Sequence, residues 1–281
     1  MIRHTFLSAL VFFLFAYYYL PLQGNSNSIN TQKIQPGRTF ILAAIFKDGI
    51  IVGSDTRYAF LDDQNKVLAY FDKAQKIYQH QNILVAVSGN YSFDSLQISA
   101  LFRNFSALHS DETGFGQFFS SFTKYAKTVL SIKEYTELLQ NQFLICGYLN
   151  NKPMIQYYDG KGKYSSFLHS GYITNHKEDN NTGWVNEYIK NADKDEAIQF
   201  IIKVIERVIE NKNEDTVSAI GGKVSIAYID SNEVNWVQKQ EGYEYYNVDD
   251  FYNSILNGNI KMWYRSPKDS ILLKQAIINR R

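Results

Sequence analysis

A single cysteine, Cys146, leaves this chain without an internal disulfide or a cysteine-rich metal centre. It sits in the apolar run Phe143-Leu-Ile-Cys-Gly-Tyr148, where a buried structural thiol is expected rather than a reactive one. Histidine is equally sparse: five residues, none in a His-Glu-x-x-His or comparable spacing, so no metal is expected. Excess charge is missing too. A formal net charge of +1, with no Lys/Arg block on one predicted face, gives no electrostatic footing for nucleic acid. No cofactor fingerprint is present. What remains is an ordinary globular composition, 45% hydrophobic and 20% charged over 281 residues, enough to bury a large core.

The N-terminus reads as a separate module. Arg3 and His4 precede an uncharged run from Phe6 to Leu20, short for a comfortable membrane span and suited to a signal-peptide core. Residues 1–24 are therefore read as a signal peptide or signal anchor, which implies export or membrane anchoring through residues 6–20, with a cytoplasmic location as the alternative. Residues 25–38, polar and containing Pro36, read as a linker or propeptide. Residues 39–281 are read as the folded domain.

That domain opens with two apolar, β-branched-rich runs, Phe40 to Phe46 and Ile50 to Gly53, flanking Lys47-Asp48-Gly49. The pattern predicts a hairpin in which Gly49 supplies a positive φ. Thr39 and Asp55 then lie at the same end of two paired strands. A small hydroxyl and a carboxylate brought together there, with a lysine to join them, form a cluster that activates a weak nucleophile. Later strands are expected at 142–149, 154–158, 223–229 and 234–237, with Asn150-Asn151-Lys152-Pro153 as a turn. Helical periodicity covers 93–109, 115–139 and 198–209, the first with Ser92 or Asp94 near its start and the last behind an Asp193/Glu196 capping box. Strand pairs, helices, strand pairs and a further helix predict an α+β sandwich with helices outside.

The segment Thr39 to Arg57, ending in Ser-Asp-Thr-Arg, resembles the start of a proteasome-type β subunit of the N-terminal-nucleophile (Ntn) hydrolase superfamily. After a connection longer than that family usually has, Lys76-Ile77-Tyr78 and Ile83 to Gly89 resemble its lysine-bearing strand and the strand that follows. Ser170-Gly171 resembles its Ser-Gly pair, and Asp215-Thr-Val-Ser218 with Gly221-Gly222 resembles its Asp-x-x-Ser-Gly-Gly, with Ala219 and Ile220 intervening. The likeness runs in family order over roughly residues 39 to 230.

The resemblance implies a four-layer αββα sandwich and a threonine-type amide hydrolase acting on a peptide or protein. Thr39 would be nucleophile and, through its freed α-amine, base; Lys76 would favour its deprotonated oxygen, and Asp55 would hold that lysine. The Gly89 N–H would face the oxyanion, while Ser170, Asp215 and Ser218 would support the amine and water. It also implies a homo-oligomeric ring or another homo-oligomer. Simpler readings stand beside these: Thr39 as a strand start, Asp55 and Arg57 as an exposed turn pair, Lys73 in place of Lys76, Ser170 as a turn residue, Asp215 as a helix cap. Self-processing members carry glycine just before the threonine, whereas here Arg38 holds that position and Gly37 precedes it. A non-catalytic subunit, or an exported Ntn amidase or transpeptidase on a small substrate, are the alternatives. Sequons at Asn90, Asn104 and Asn180 complete the inventory, and the aromatic-rich C-terminus from Tyr243 to Arg281 has no assigned match.

Overall fold

A computed structural model of the chain describes residues 35–37, 39–109, 114–160, 164–168, 171–175, 183–210, 219–231, 233–239, 242–243 and 247–279. In chain order the elements are β1 (Gln35–Pro36), β2 (Ile41–Phe46), β3 (Gly49–Asp55), β4 (Tyr58–Leu61), β5 (Val67–Phe71), β6 (Ile77–His80) and β7 (Ile83–Ser88). Three helices follow, α1 (Ile98–Leu108), α2 (Phe115–Val129) and α3 (Ile132–Leu139), then β8 (Gln142–Leu149), β9 (Lys152–Tyr158), β10 (Tyr164–Leu168) and β11 (Gly171–Thr174). The chain continues through α4 (Gly183–Asn191), α5 (Lys194–Glu210), β12 (Val224–Ile229), β13 (Val234–Gln238), α6 (Val248–Leu256), β14 (Trp263–Tyr264) and α7 (Pro267–Asn279).

Two five-stranded antiparallel sheets, ordered β11-β2-β3-β12-β13 and β10-β9-β8-β7-β6, make the centre. Strand alternation decides which residues meet where. Ile41, Ala43, Ile45, Ile50 and Val52 face Ile77, Leu84, Ala86, Leu144, Cys146 and Ile155 of the other sheet. From the opposite face of β2, Phe40, Leu42, Ala44 and Phe46 pack on Ile198, Ile201 and Ile205 of α5. Across the molecule Val85, Val87, Phe143 and Ile145 meet Leu101, Phe102, Phe118 and Phe122 of α1 and α2. The layers therefore run helix, sheet, sheet, helix, an α+β sandwich whose central strands are buried on both sides; this explains their continuous apolar runs.

Several local readings change. Gly49 lacks a positive φ; it is required because a Cβ would run into the Ile229 carbonyl of the neighbouring strand. Helix α1 starts at Ile98 behind Gln97, without a side-chain cap, because residues 91–97 are held in a turn by Phe93 N–H to Leu96 O and Ile98 N–H to Tyr91 O. The single helix expected over 115–139 is two: Leu130 and Ser131 are extended, and Ser131 with Glu134 closes a full capping box that restarts the helix. The Asp193/Glu196 box forms as expected, at 2.9 and 3.1 Å. Asn150 and Asn151, at φ 52° and 60°, make a two-residue turn of the kind that suits the twist of β8 and β9.

The long connection before Lys76 is a hairpin, β4 and β5, at the heart of a third sheet ordered β1-β4-β5-β14. The C-terminal aromatics close on it: Trp263 stacks on Tyr70 at 4.9 Å, while Tyr243 and Phe251 meet Phe71 edge-on. Among the described residues, no helix is long and apolar enough to cross a membrane.

Candidate active site

The β2–β3 hairpin brings Thr39 beside Asp55 because its pairing register matches Ile41 with Ser54. One step further along, the Asp55 N–H donates to the Phe40 carbonyl, and the Phe40 N–H returns a bond to Asp55 Oδ1 at 2.9 Å. Asp55 is fully buried, and among the described residues the groups that bond its carboxylate are all donors. Lys76 Nζ reaches Oδ1 at 2.8 Å, while the N–H groups of Arg57 and Gly221 reach Oδ2 at 3.2 and 3.0 Å. Four donors on one buried carboxylate offset the cost of removing its charge from water.

Lys76, at the entrance to β6, is itself 5% exposed. Burial lowers its pKa from the usual lysine value, and the neighbouring Asp55 carboxylate opposes that shift without cancelling it. Thr39, Lys76 and Gly89 line one small cavity of about 10 Å³, room for about one water molecule. Lys73, the alternative lysine, is exposed and lies over the Tyr243 ring at 5.6 Å.

Two asparagines that carry no sequence signature complete the surroundings. Asn175, just past β11, donates to the Thr39 carbonyl at 2.6 Å and to Ser88 Oγ at 3.1 Å, and accepts from the Ile41 N–H at 2.9 Å. Ser88 Oγ also donates to the Thr39 carbonyl, at 3.3 Å. Asn141, between α3 and β8, accepts from the Asn90 N–H at 2.6 Å and donates to the Asn90 carbonyl at 3.1 Å. It thereby fills the space where Gly89 has no Cβ. With φ at +138°, Gly89 holds a backbone shape that a side chain would both strain and drive into Asn141.

Arg57 is a structural strut. It pairs with Asp72 through two bonds, 2.7 and 3.0 Å, and stacks over Tyr70 at 3.6 Å. Asp55 and Arg57 are both buried, so the exposed turn pair does not form. Gly221 fits against the Arg57 guanidinium, where a Cβ has no room, and its carbonyl accepts from the N–H groups of Thr56 and Arg57. The glycine pair thus meets Asp55-Thr-Arg57 despite the two intervening residues. Arg38, Ser170, Asp215 and Ser218 lie outside the described residues. Among the described residues, no three His, Cys, Asp or Glu side chains gather as a metal site would require. Cys146 is fully buried between the sheets, which pushes its thiol pKa up.

A profile of the family described as Proteasome subunit matches residues 37–227. Comparison with curated proteins finds no match. The matched stretch contains Thr39, Asp55, Lys76 and Gly89 and stops within β12, so β13, α6, β14 and α7 lie beyond it.

Proposed function

Because the chain belongs to the proteasome subunit family, within the Ntn hydrolase superfamily, we propose that it is a threonine-type amide hydrolase in which Thr39 becomes the mature N-terminus after removal of residues 1–38. The observation that carries this reading is the buried Lys76–Asp55 ion pair beside Thr39, with Lys76 and Thr39 on the wall of a shared cavity. A buried ion pair is a costly way to stabilise a fold, and an apolar pair of similar size is often at least as good there. Its placement beside a hydroxyl suits catalysis.

In this reading the freed α-amine of Thr39, titrating near neutrality, takes the hydroxyl proton directly or through one water. The Lys76 ammonium stabilises the oxygen as it loses that proton, and Asp55 keeps the ammonium charged and aimed. The oxygen attacks the substrate carbonyl, whose developing oxyanion faces the Gly89 N–H; one such donor is commonly worth about a hundredfold to a thousandfold in rate. The proton passes to the leaving amine, an ester forms on Thr39, and water hydrolyses it. Ser170, Asp215 and Ser218 take the supporting roles that the family resemblance gives them. Subunits of this family generally form oligomeric assemblies, and a homo-oligomeric ring is the form proposed here. The N-terminal segment is proposed to direct export or anchoring.

Arg38 favours a second reading, a non-catalytic subunit, since glycine is absent from the position where self-processing members carry it. Intact mass or N-terminal sequencing of protein from its native host, with Thr39→Ala as control, separates the two. A chain beginning at Thr39 that hydrolyses fluorogenic peptides, and loses that activity in the variant, supports the hydrolase. A folded, assembled chain still carrying residues before Thr39 supports the non-catalytic subunit.

A further inference from the structure

We propose that this site accepts only small residues, glycine or alanine, on the acyl side of the bond it cuts, and that the chain's own C-terminal segment enforces the restriction. The inference rests on the hydrolase reading above. Attack by Thr39 places the substrate carbonyl carbon next to its oxygen, so the side chain one bond away must enter the space beside Thr39, Lys76 and Gly89. In the chain that still carries residues before Thr39, that space is a partly open cavity with room for about one water molecule, about 10 Å³, enough for a methyl group, and a leucyl or phenyl side chain enters it only if its walls move.

Its remaining walls include Tyr58, Tyr78, Val87, Tyr91 and Ile98, and the three tyrosines are held in place. Tyr78 stacks on Phe102 at 4.5 Å, nearly parallel, and donates its hydroxyl to the Gln75 carbonyl at 2.7 Å. Tyr58 is wedged among Phe60, Phe71 and Tyr91, at centroid separations of 5.1, 5.4 and 5.2 Å. Tyr91 donates to the Tyr243 carbonyl at 3.0 Å and packs against Phe251 at 6.0 Å. Enlarging the cavity means displacing rings from a close-packed cluster, which a substrate side chain must offset from its own binding.

Tyr243 and Phe251 both lie beyond the stretch that matches the family profile. The segment that the sequence left without a role therefore braces Tyr91 from behind. Tyr58 and Ile98 act as specificity determinants, and Phe251 acts as a positioning residue through Tyr91.

The test uses the full chain matured in its native host, its first residue verified by intact mass, with peptide-aminomethylcoumarin substrates carrying Gly, Ala, Leu, Phe, Arg or Glu next to the fluorophore. Wild-type kcat/KM for the alanyl substrate should exceed that for leucyl and phenylalanyl by about tenfold or more, since a single misfitting methylene is worth about that much. Tyr58→Ala should reduce the alanyl-to-leucyl ratio by about tenfold or more. Ile98→Ala, a milder change at the first turn of α1, should reduce it in the same direction and serves if the tyrosine variant does not fold. Phe251→Ala should loosen discrimination chiefly through KM for the bulky substrates. Wild-type turnover of leucyl or phenylalanyl substrates equal to or above alanyl overturns the small-pocket inference and leaves the hydrolase standing. An unchanged ratio in folded Ile98→Ala also overturns it. No turnover of any substrate, with Thr39→Ala identical to wild type, overturns the hydrolase reading and this inference with it.

Discussion

Replacing Asp55 by asparagine keeps the shape of the side chain and removes its charge. The carboxylate accepts from four donors, two at each oxygen: Phe40 N–H and Lys76 Nζ at Oδ1, Arg57 N–H and Gly221 N–H at Oδ2. Whichever way the asparagine amide is turned, its NH₂ faces two of those donors, and two bonds are lost. The Arg57 N–H keeps a second acceptor, the Gly221 carbonyl at 2.9 Å, so one or two buried donors are left unmet at about 1–3 kcal/mol each, and breaking a buried ion pair costs about 3–5 kcal/mol. The two routes agree on about 3–5 kcal/mol, a large share of the roughly 5–15 kcal/mol that holds a domain together. Urea unfolding of Asp55→Asn should therefore show a much lower midpoint with an unchanged slope. Lys76→Met in the same protein tests the partnership: the double variant should be less destabilised than the sum of the singles by about 1 kcal/mol or more. The lysine also makes a pH signature. Its folded pKa lies below the unfolded value of 10.5, so the unfolded chain holds more protons in between, and stability rises with pH through that window. Lys76→Met should flatten that rise. A cost for Asp55→Asn below about 1 kcal/mol, or strict additivity in the double variant, would refute the buried-pair account.

Two further outcomes are expected. Gly89→Ala should lose at least about 1–3 kcal/mol in chemical denaturation, because the positive φ and Asn141 both resist a Cβ; a variant as stable as wild type would contradict this. His80 is buried, donates to or accepts from Ser106 at 3.1 Å, and faces His109. Burial first, and His109 second, lower its pKa below 6.5. The unfolded chain then takes up the proton first as pH falls, so stability drops below about pH 6.5. Thermal melts of His80→Phe between pH 7 and 5 should fall less steeply than wild type, and parallel curves would dismiss His80 as an acid sensor.

Sequence alone set those features that depend on neighbours along the chain. The hairpin at 41–55, the Asn150-Asn151 turn and the Asp193/Glu196 cap were legible because strand period, φ preference and capping geometry act within a few residues. Ser131-x-x-Glu134 carried the same kind of signal within what reads as one continuous helical stretch, and it marks where that helix breaks. Tertiary structure decided the rest. Only packing shows that Lys76 rather than Lys73 meets Asp55, since both precede the same strand and differ only in which faces inward. Asn175 and Asn141 could not be picked out from other polar residues, because their partners Thr39 and Asn90 are 136 and 51 residues away. Gly221 reaches Asp55 across 166 residues. The third sheet was equally hidden. Its strands are two to five residues long, too short for a clear period, and the aromatics that pack across the β4–β5 hairpin come from the distant C-terminal segment. Local order followed from backbone geometry, whereas the surroundings of Thr39 depended on which distant surfaces had apolar area to bury together.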